Sequence, residues 1–215
     1  MINKKMIYLD YAASTPVRKE VRKVMTEVNR YFANPSSQHS AGKKAKEILE
    51  NSRAKVRKIL NTKDGDKIVF TSSGTESINL ALKGVAFANK KKGNHIITSK
   101  VEHKAVLETC RYLEKKGFKI TYLDVDQYGR VNPKAVEKAI TNKTIFISIM
   151  YANNEIGTIQ PITEIAAVAK KRKILFHTDA CQAGMLDIDI QKLGIDLLTL
   201  NSNKIYGPKG AGLCV

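Results

Sequence analysis

The stretch Lys67–Asn89, "KIVFTSSGTESINLALKGVAFAN", decides how this chain is read. Its opening "KIVFT" is a β-branched, apolar run that reads as a strand. Ser72, Ser73 and Gly74 make a small-residue turn, and residues 76–89 carry a helical pattern. A strand feeding a helix through such a turn is half of a βαβ crossover. The same alternation runs on from there: "HIITS" (95–99) precedes a helical 104–117, and "KITYLDV" (119–125) is a further strand. Pro133 after Asn132 opens a helix to about Ile140, by cap and first-turn chemistry. "TIFISIM" (144–150) is almost continuously apolar, as a strand buried on both faces should be. Residues 162–171 are helical, and 174–178 and 195–200 are strands. The expected fold is therefore α/β, a mostly parallel doubly wound sheet with helices on both faces. Ligands of such sheets bind beyond the carboxyl ends of the strands.

The first third differs. "YLDYAASTPV" (8–17) is a short extended segment entering a helix near Arg18, "NPSSQHS" (34–40) is a turn-rich loop, and residues 41–60 form a one-faced helix. No repeat or low-complexity linker interrupts the chain. The expected organisation is an N-terminal arm, residues 1–15, on one large domain, 16–215.

Bulk composition narrows the function. The 37 basic and 20 acidic residues leave a net charge of +17. The basic residues are spread over predicted helices without interleaved aromatics, which describes solvated faces that welcome small anions and not a nucleic-acid platform. Cys110, Cys181 and Cys214 lie far apart with no C-x-x-C pair, so neither a structural metal site nor a disulfide framework is expected. No apolar run could span a bilayer and "MINKKMIYLD" is no secretory signal, so a cytoplasmic protein without membrane contact is expected.

The chemistry-bearing residues follow the predicted strands. Gly74 and Thr75 open a helix whose free N–H groups suit a phosphate, although Ser-x-x-Glu there is equally an ordinary capping box. His103 stands at a second helix start, Asn153 and Asn154 cluster after the buried strand, and Asp179 ends a strand with Gln182 beyond it. Lys204 follows the last strand between turn-forming Asn and Gly residues. A phosphate cradle, an imidazole, amides, a carboxylate and a lysine at one edge of a sheet are what pyridoxal phosphate needs. A lysine forms the Schiff base, and a carboxylate keeps the ring nitrogen protonated. On this reading Lys204 is placed to react.

Seven stretches in order carry a resemblance: "YLDYAASTPV", "NPSSQHSAG", "IVFTSSGTESINLALKG", "HIITSKVEHKAVLETC", "SIMYANNEIGTIQPI", "FHTDACQAGM" and "NKIYGPKGAG". The chain resembles the cysteine desulfurases, fold-type I pyridoxal-phosphate enzymes of the class V aminotransferase group. The resemblance implies removal of sulfur from L-cysteine, giving alanine and an enzyme persulfide for iron–sulfur cluster assembly and tRNA thiolation. It implies that Gly74 and Thr75 bind the phosphate and that His103 stacks on the ring and shuttles protons. Asn154 and Gln182 would lie near the phenolic oxygen, Asp179 would pair with the ring nitrogen, and Lys204 would hold the cofactor. It further implies a homodimer and a scaffold or sulfur-acceptor protein as partner. A selenocysteine lyase, another class V enzyme or an inactive cofactor- or partner-binding fragment are the alternative readings.

Two departures stand out. Asn201-Ser202-Asn203-Lys204 replaces the family's Ser-x-His-Lys, where Ser and His help hold the phosphate. The family also continues into a smaller C-terminal domain with the persulfide cysteine and a substrate-binding arginine, whereas this sequence stops at Val215. An N-terminal portion is expected, with its last strand left as an unpaired edge.

Overall fold

The computed structural model describes residues 6–215. Seven strands form one sheet in the order β1 (Val69–Thr71), β7 (Gly212–Cys214), β6 (Leu197–Asn201), β5 (Leu175–Asp179), β4 (Thr144–Ser148), β2 (His95–Ser99) and β3 (Lys119–Leu123). The contiguous strands β6, β5, β4, β2 and β3 are parallel, and only β7 runs against its neighbours. The mostly parallel α/β sheet expected from the alternation is present. The last strand corrects the expectation of a bare edge: β7 pairs with β6 on one side and β1 on the other, so β1 and β3 are the edges. Residue spacing along the chain carries no information about that pairing, because β1 and β7 are brought together only by the sheet.

Burial on both faces explains the continuous apolar strands. Ile96 and Phe146 face one core with Ile78 and Leu82 of α3 (Gly74–Asn89) and Val106 and Leu113 of α4 (Lys104–Lys115). Ile97, Ile147 and Phe176 face the other, with Val136 of α5 (Pro133–Ala139), Ile165 of α6 (Ile162–Lys171) and Ile190 of α7 (Ile190–Leu193). Adjacent residues of one strand thus serve opposite cores, as the two-residue period of a strand demands.

Local chemistry sets the helix boundaries. Asn132 accepts from the Lys134 amide at 2.9 Å ahead of Pro133, and Asp189 accepts from Lys192 at 2.9 Å. Asn61 closes α2 (Ser40–Leu60) in the left-handed conformation, φ 49°. The short α7 has too few residues to show a helical period, which is why the sequence pattern does not display it. Before α1 (Lys19–Val28), the arm is not fully extended. Residues 11–13 turn, with the Asp10 carboxylate accepting from the Ala13 amide at 3.3 Å, an Asx-type turn. No described helix is long and apolar enough to cross a membrane.

Candidate active site

All the parallel strands point their carboxyl ends one way, and β1 joins them because β7 reverses between it and β6. A cavity of about 390 Å³ opens there, lined by Gly74 and Thr75 after β1, His103 after β2, Asn154 after β4, Asp179, Cys181 and Gln182 after β5, and Asn201 and Lys204 after β6. Asp10, Ala12 and Ala13 of the arm complete its wall. Eight of the nine residues to which the family resemblance gives a cofactor contact line it. Asn203 does not: its side-chain Oδ1 is buried without a partner.

The turn before α3 is both a cap and an opening. Ser73 Oγ accepts from the Glu76 amide at 3.2 Å, and the Glu76 carboxylate accepts from the Ser72 amide at 2.7 Å and hydroxyl at 2.6 Å. The capping box therefore forms, and its hydrogen bonds hold the Glu76 carboxyl below its usual range. Yet it leaves the amides of Gly74 and Thr75 without an acceptor among the described residues. Unpaired N–H groups at the positive end of a 16-residue helix suit an anion. Gly74 is required by close packing, since a Cβ there would lie 2.7 Å from Cys181 Sγ and 3.2 Å from Asn201 Cβ.

His103 Nδ1 accepts from the Ala105 amide at 3.1 Å, so the ring caps α4 and its Nε2 is left for the cavity side. Asn153 is spent on structure: its Oδ1 accepts from the amides of Glu155 and Ile156 and its Nδ2 donates to Val101 O at 3.0 Å. That turn presents Asn154, whose Nδ2 donates to Glu155 Oε1 at 2.5 Å. Asp179 is 5% exposed, and its Oδ1 accepts from the Cys181 amide at 3.0 Å and from Thr199 Oγ1 at 3.4 Å. Gln182 Nε2 donates to Ala12 O at 2.9 Å, and Lys204 Nζ donates to Ala12 O at 2.5 Å and Ala13 O at 2.7 Å.

The thiols are held protonated. Burial, reinforced by Asp179, pushes Cys181 well above the ordinary thiol range. Burial lifts Cys110 to about 12 and Cys214 to about 11. Among the described residues no three His, Cys, Asp or Glu side chains are grouped to hold a metal ion.

Sequence reasoning missed the part played by Glu102 and by the arm. The buried Glu102 Oε1 accepts from Ser99 Oγ at 2.6 Å and the Met150 amide at 3.0 Å, tying the β2 end to the β4 end, while Oε2 has no partner. Burial raises its carboxyl to about 8 against the pull of those two donors. A carboxylate three residues past the end of an apolar strand was the available signal for it. The arm's partners lie about 190 residues away in sequence, and no local pattern marks them.

A family profile described as aminotransferase class-V matches residues 7–215. The chain is 54% identical over 211 residues to a cysteine desulfurase IscS of Dictyoglomus turgidum, covering 97% of this chain and 53% of that protein. It is 53% identical over 210 residues to the IscS of Methanosarcina thermophila, covering 97% and 52%. Among solved structures, SspA in complex with cysteine superposes with a TM-score of 0.93 at 44% identity, covering 97% of this chain and 60% of that one. A NifS-like protein gives 0.92 at 42%, covering 97% and 58%. The chain spans about half the length of the curated relatives it matches.

Proposed function

Because the chain belongs to the class V aminotransferase family, we propose that it is the cofactor-binding portion of a cysteine desulfurase that takes sulfur from L-cysteine and releases alanine. Pyridoxal phosphate is the cofactor of this family, and the donor set fits it: two unpaired amides at the start of α3, a buried carboxylate at the end of β5 and an amine after β6. When bound, the cofactor supplies an electron sink for bonds at the substrate's α-carbon.

The rest of the chemistry belongs to named side chains. Gly74 and Thr75 give their amides, and Thr75 its hydroxyl, to the phosphate. Asp179, with the Cys181 amide and Thr199 hydroxyl fixing one of its oxygens, would pair with the ring nitrogen. His103, fixed through Nδ1, stacks against the ring and moves a proton at Nε2. Gln182 and Asn154 give amide hydrogens to the phenolic oxygen. Lys204 Nζ, which donates to the arm carbonyls in this structure, would hold the cofactor and carry protons at the substrate carbon. Cys110, Cys181 and Cys214 do not match the position of the family's sulfur-accepting cysteine, and burial pushes each thiol above its ordinary range.

The observation that carries this reading is the convergence of Lys204, Asp179 and the open start of α3 on one cavity. We further propose, from the relatives' IscS names, that it passes sulfur to an iron–sulfur scaffold or other acceptor protein; a homodimer working in the cytoplasm rests on the family resemblance and the sequence alone. The test is to incubate the full-length gene product with pyridoxal phosphate, L-cysteine and a reductant. Equimolar alanine and sulfide, abolished in Lys204→Ala, is the expected result. Turnover that survives this substitution overturns the proposal.

A further inference from the structure

The segment Asp10–Arg18 runs from the arm to the start of α1, and its Asp10, Ala12 and Ala13 line the cavity. Its contacts concentrate on one place, the loop that carries Lys204. Thr15 Oγ1 donates to Asn203 O at 2.9 Å and accepts from the Tyr206 amide at 2.8 Å, while the Thr15 amide donates to Asn203 O at 2.8 Å. One hydroxyl therefore spans the residues on either side of Ile205 and Lys204, using its donor and its acceptor at once. Arg18 adds a second fastening: its amide donates to Tyr206 O at 3.1 Å and its guanidinium lies 4.7 Å from the centre of the Tyr206 ring.

Tyr206 explains why the clasp is needed. Its φ is +61°, in the left-handed region that a bulky non-glycine residue enters only at a cost. Both its amide and its carbonyl are bound by the arm, through Thr15 and Arg18, so the arm holds the strained conformation in place. The same segment brings Ala12 and Ala13 to the amine, where their carbonyls accept from Nζ.

We propose that Thr15 is a positioning residue for Lys204: its hydroxyl clasps the loop from Asn203 to Tyr206 and so fixes where Nζ points. The inference concerns the reactive lysine of the proposed function, but its test needs neither cofactor nor turnover, so the two stand or fall separately. Thr15→Val removes the hydroxyl at nearly constant shape, and Thr15→Ser restores it. Thr15 lies on the partly exposed arm, away from either core. Thr15→Ala serves if the valine variant is insoluble.

The measurement is site-resolved acylation of lysines in the intact, cofactor-free protein by acetic anhydride, read by peptide mass spectrometry. In Thr15→Val, Lys204 should be acylated about 5-fold faster or more, the effect of losing roughly one net hydrogen bond from the clasp. Lys100 and Lys134, far from the loop in sequence, should keep their wild-type rates, and Thr15→Ser should react as wild type does. Equal Lys204 rates in Thr15→Val and wild type overturn the proposal. So does a Thr15→Ser rate as high as that of Thr15→Val, because the hydroxyl would then not be the holder.

Discussion

The two walls of the cavity are built by different physics. The strand-end wall, with Gly74, His103, Asp179 and Asn201, grows directly out of elements whose apolar residues are fully buried, such as Ile96, Phe146, Phe176 and Leu198. The arm wall leaves Met6, Ile7, Leu9 and Tyr11 exposed and is held mainly by hydrogen bonds and contacts to the Tyr206 ring, and α1 behind it buries none of its residues. One wall is fixed by side chains packed into both cores and cannot shift without disturbing them. The other is held by a few polar contacts whose net worth is about 1 kcal/mol each, so it can be undone locally.

The largest effect should come from attacking that contrast through the core. Phe176→Ala empties a fully buried site in β5 and should cost about 3–5 kcal/mol of stability, read as a shift in the urea midpoint. Leu9→Ala, at an 86% exposed arm position, should change stability by no more than about 0.5 kcal/mol. Comparable losses in the two variants would erase the distinction between the walls.

A second effect lies just beneath the strand-end wall. Glu102 has its carboxyl raised from about 4.5 to about 8 by burial. A group raised in the folded state favours folding while protonated, so its contribution is complete below the unfolded value and is lost as pH rises through about 8. Glu102→Gln cannot ionise and still offers an oxygen to Ser99 and Met150. The stability of the variant relative to wild type should therefore improve steadily between pH 5 and pH 8.5, by on the order of a few kcal/mol. A difference independent of pH would show that Glu102 does not titrate in this window.

Much of the strand-end wall was legible in the sequence because each of its residues sits at or just past the end of an apolar run, and strand ends are where an α/β sheet collects its ligands. Asp179 and Lys204 were found that way. Asn203 stands where the family resemblance places a phosphate-holding His, but the chain turns there into the short 3₁₀ segment Ser202–Lys204 and Asn203 does not line the cavity. The pairing of β7 with β1, the clasp from Thr15 to Tyr206 and the buried link from Glu102 to Met150 join residues far apart along the chain. Local pattern contains no trace of such contacts, which only the packed sheet creates.

Two smaller effects sharpen the account of the strand-end wall itself. Asp179→Asn keeps an oxygen for the Cys181 amide and should leave the fold intact, while weakening cofactor binding by roughly 10- to 100-fold through loss of a charged hydrogen bond. A titration of the cofactor-free protein followed by absorbance measures this, and unchanged affinity would remove Asp179 from the ring-nitrogen role. The double change Asn201→Ser with Asn203→His should tighten binding by about 1–2 kcal/mol if hydrogen bonds to the phosphate are regained. Because Asn203 lies outside the cavity lining, the single Asn201→Ser should account for most of any gain.

The central claim is that Lys204, held in waiting by the arm carbonyls, is the residue that takes up the cofactor. Incubating the protein with pyridoxal phosphate, reducing with borohydride and mapping the pyridoxyl label by peptide mass spectrometry tests it most directly. The account predicts one label per chain, on Lys204, and none after Lys204→Ala. A label spread over the chain's many lysines, or fixed on a different one, would contradict it.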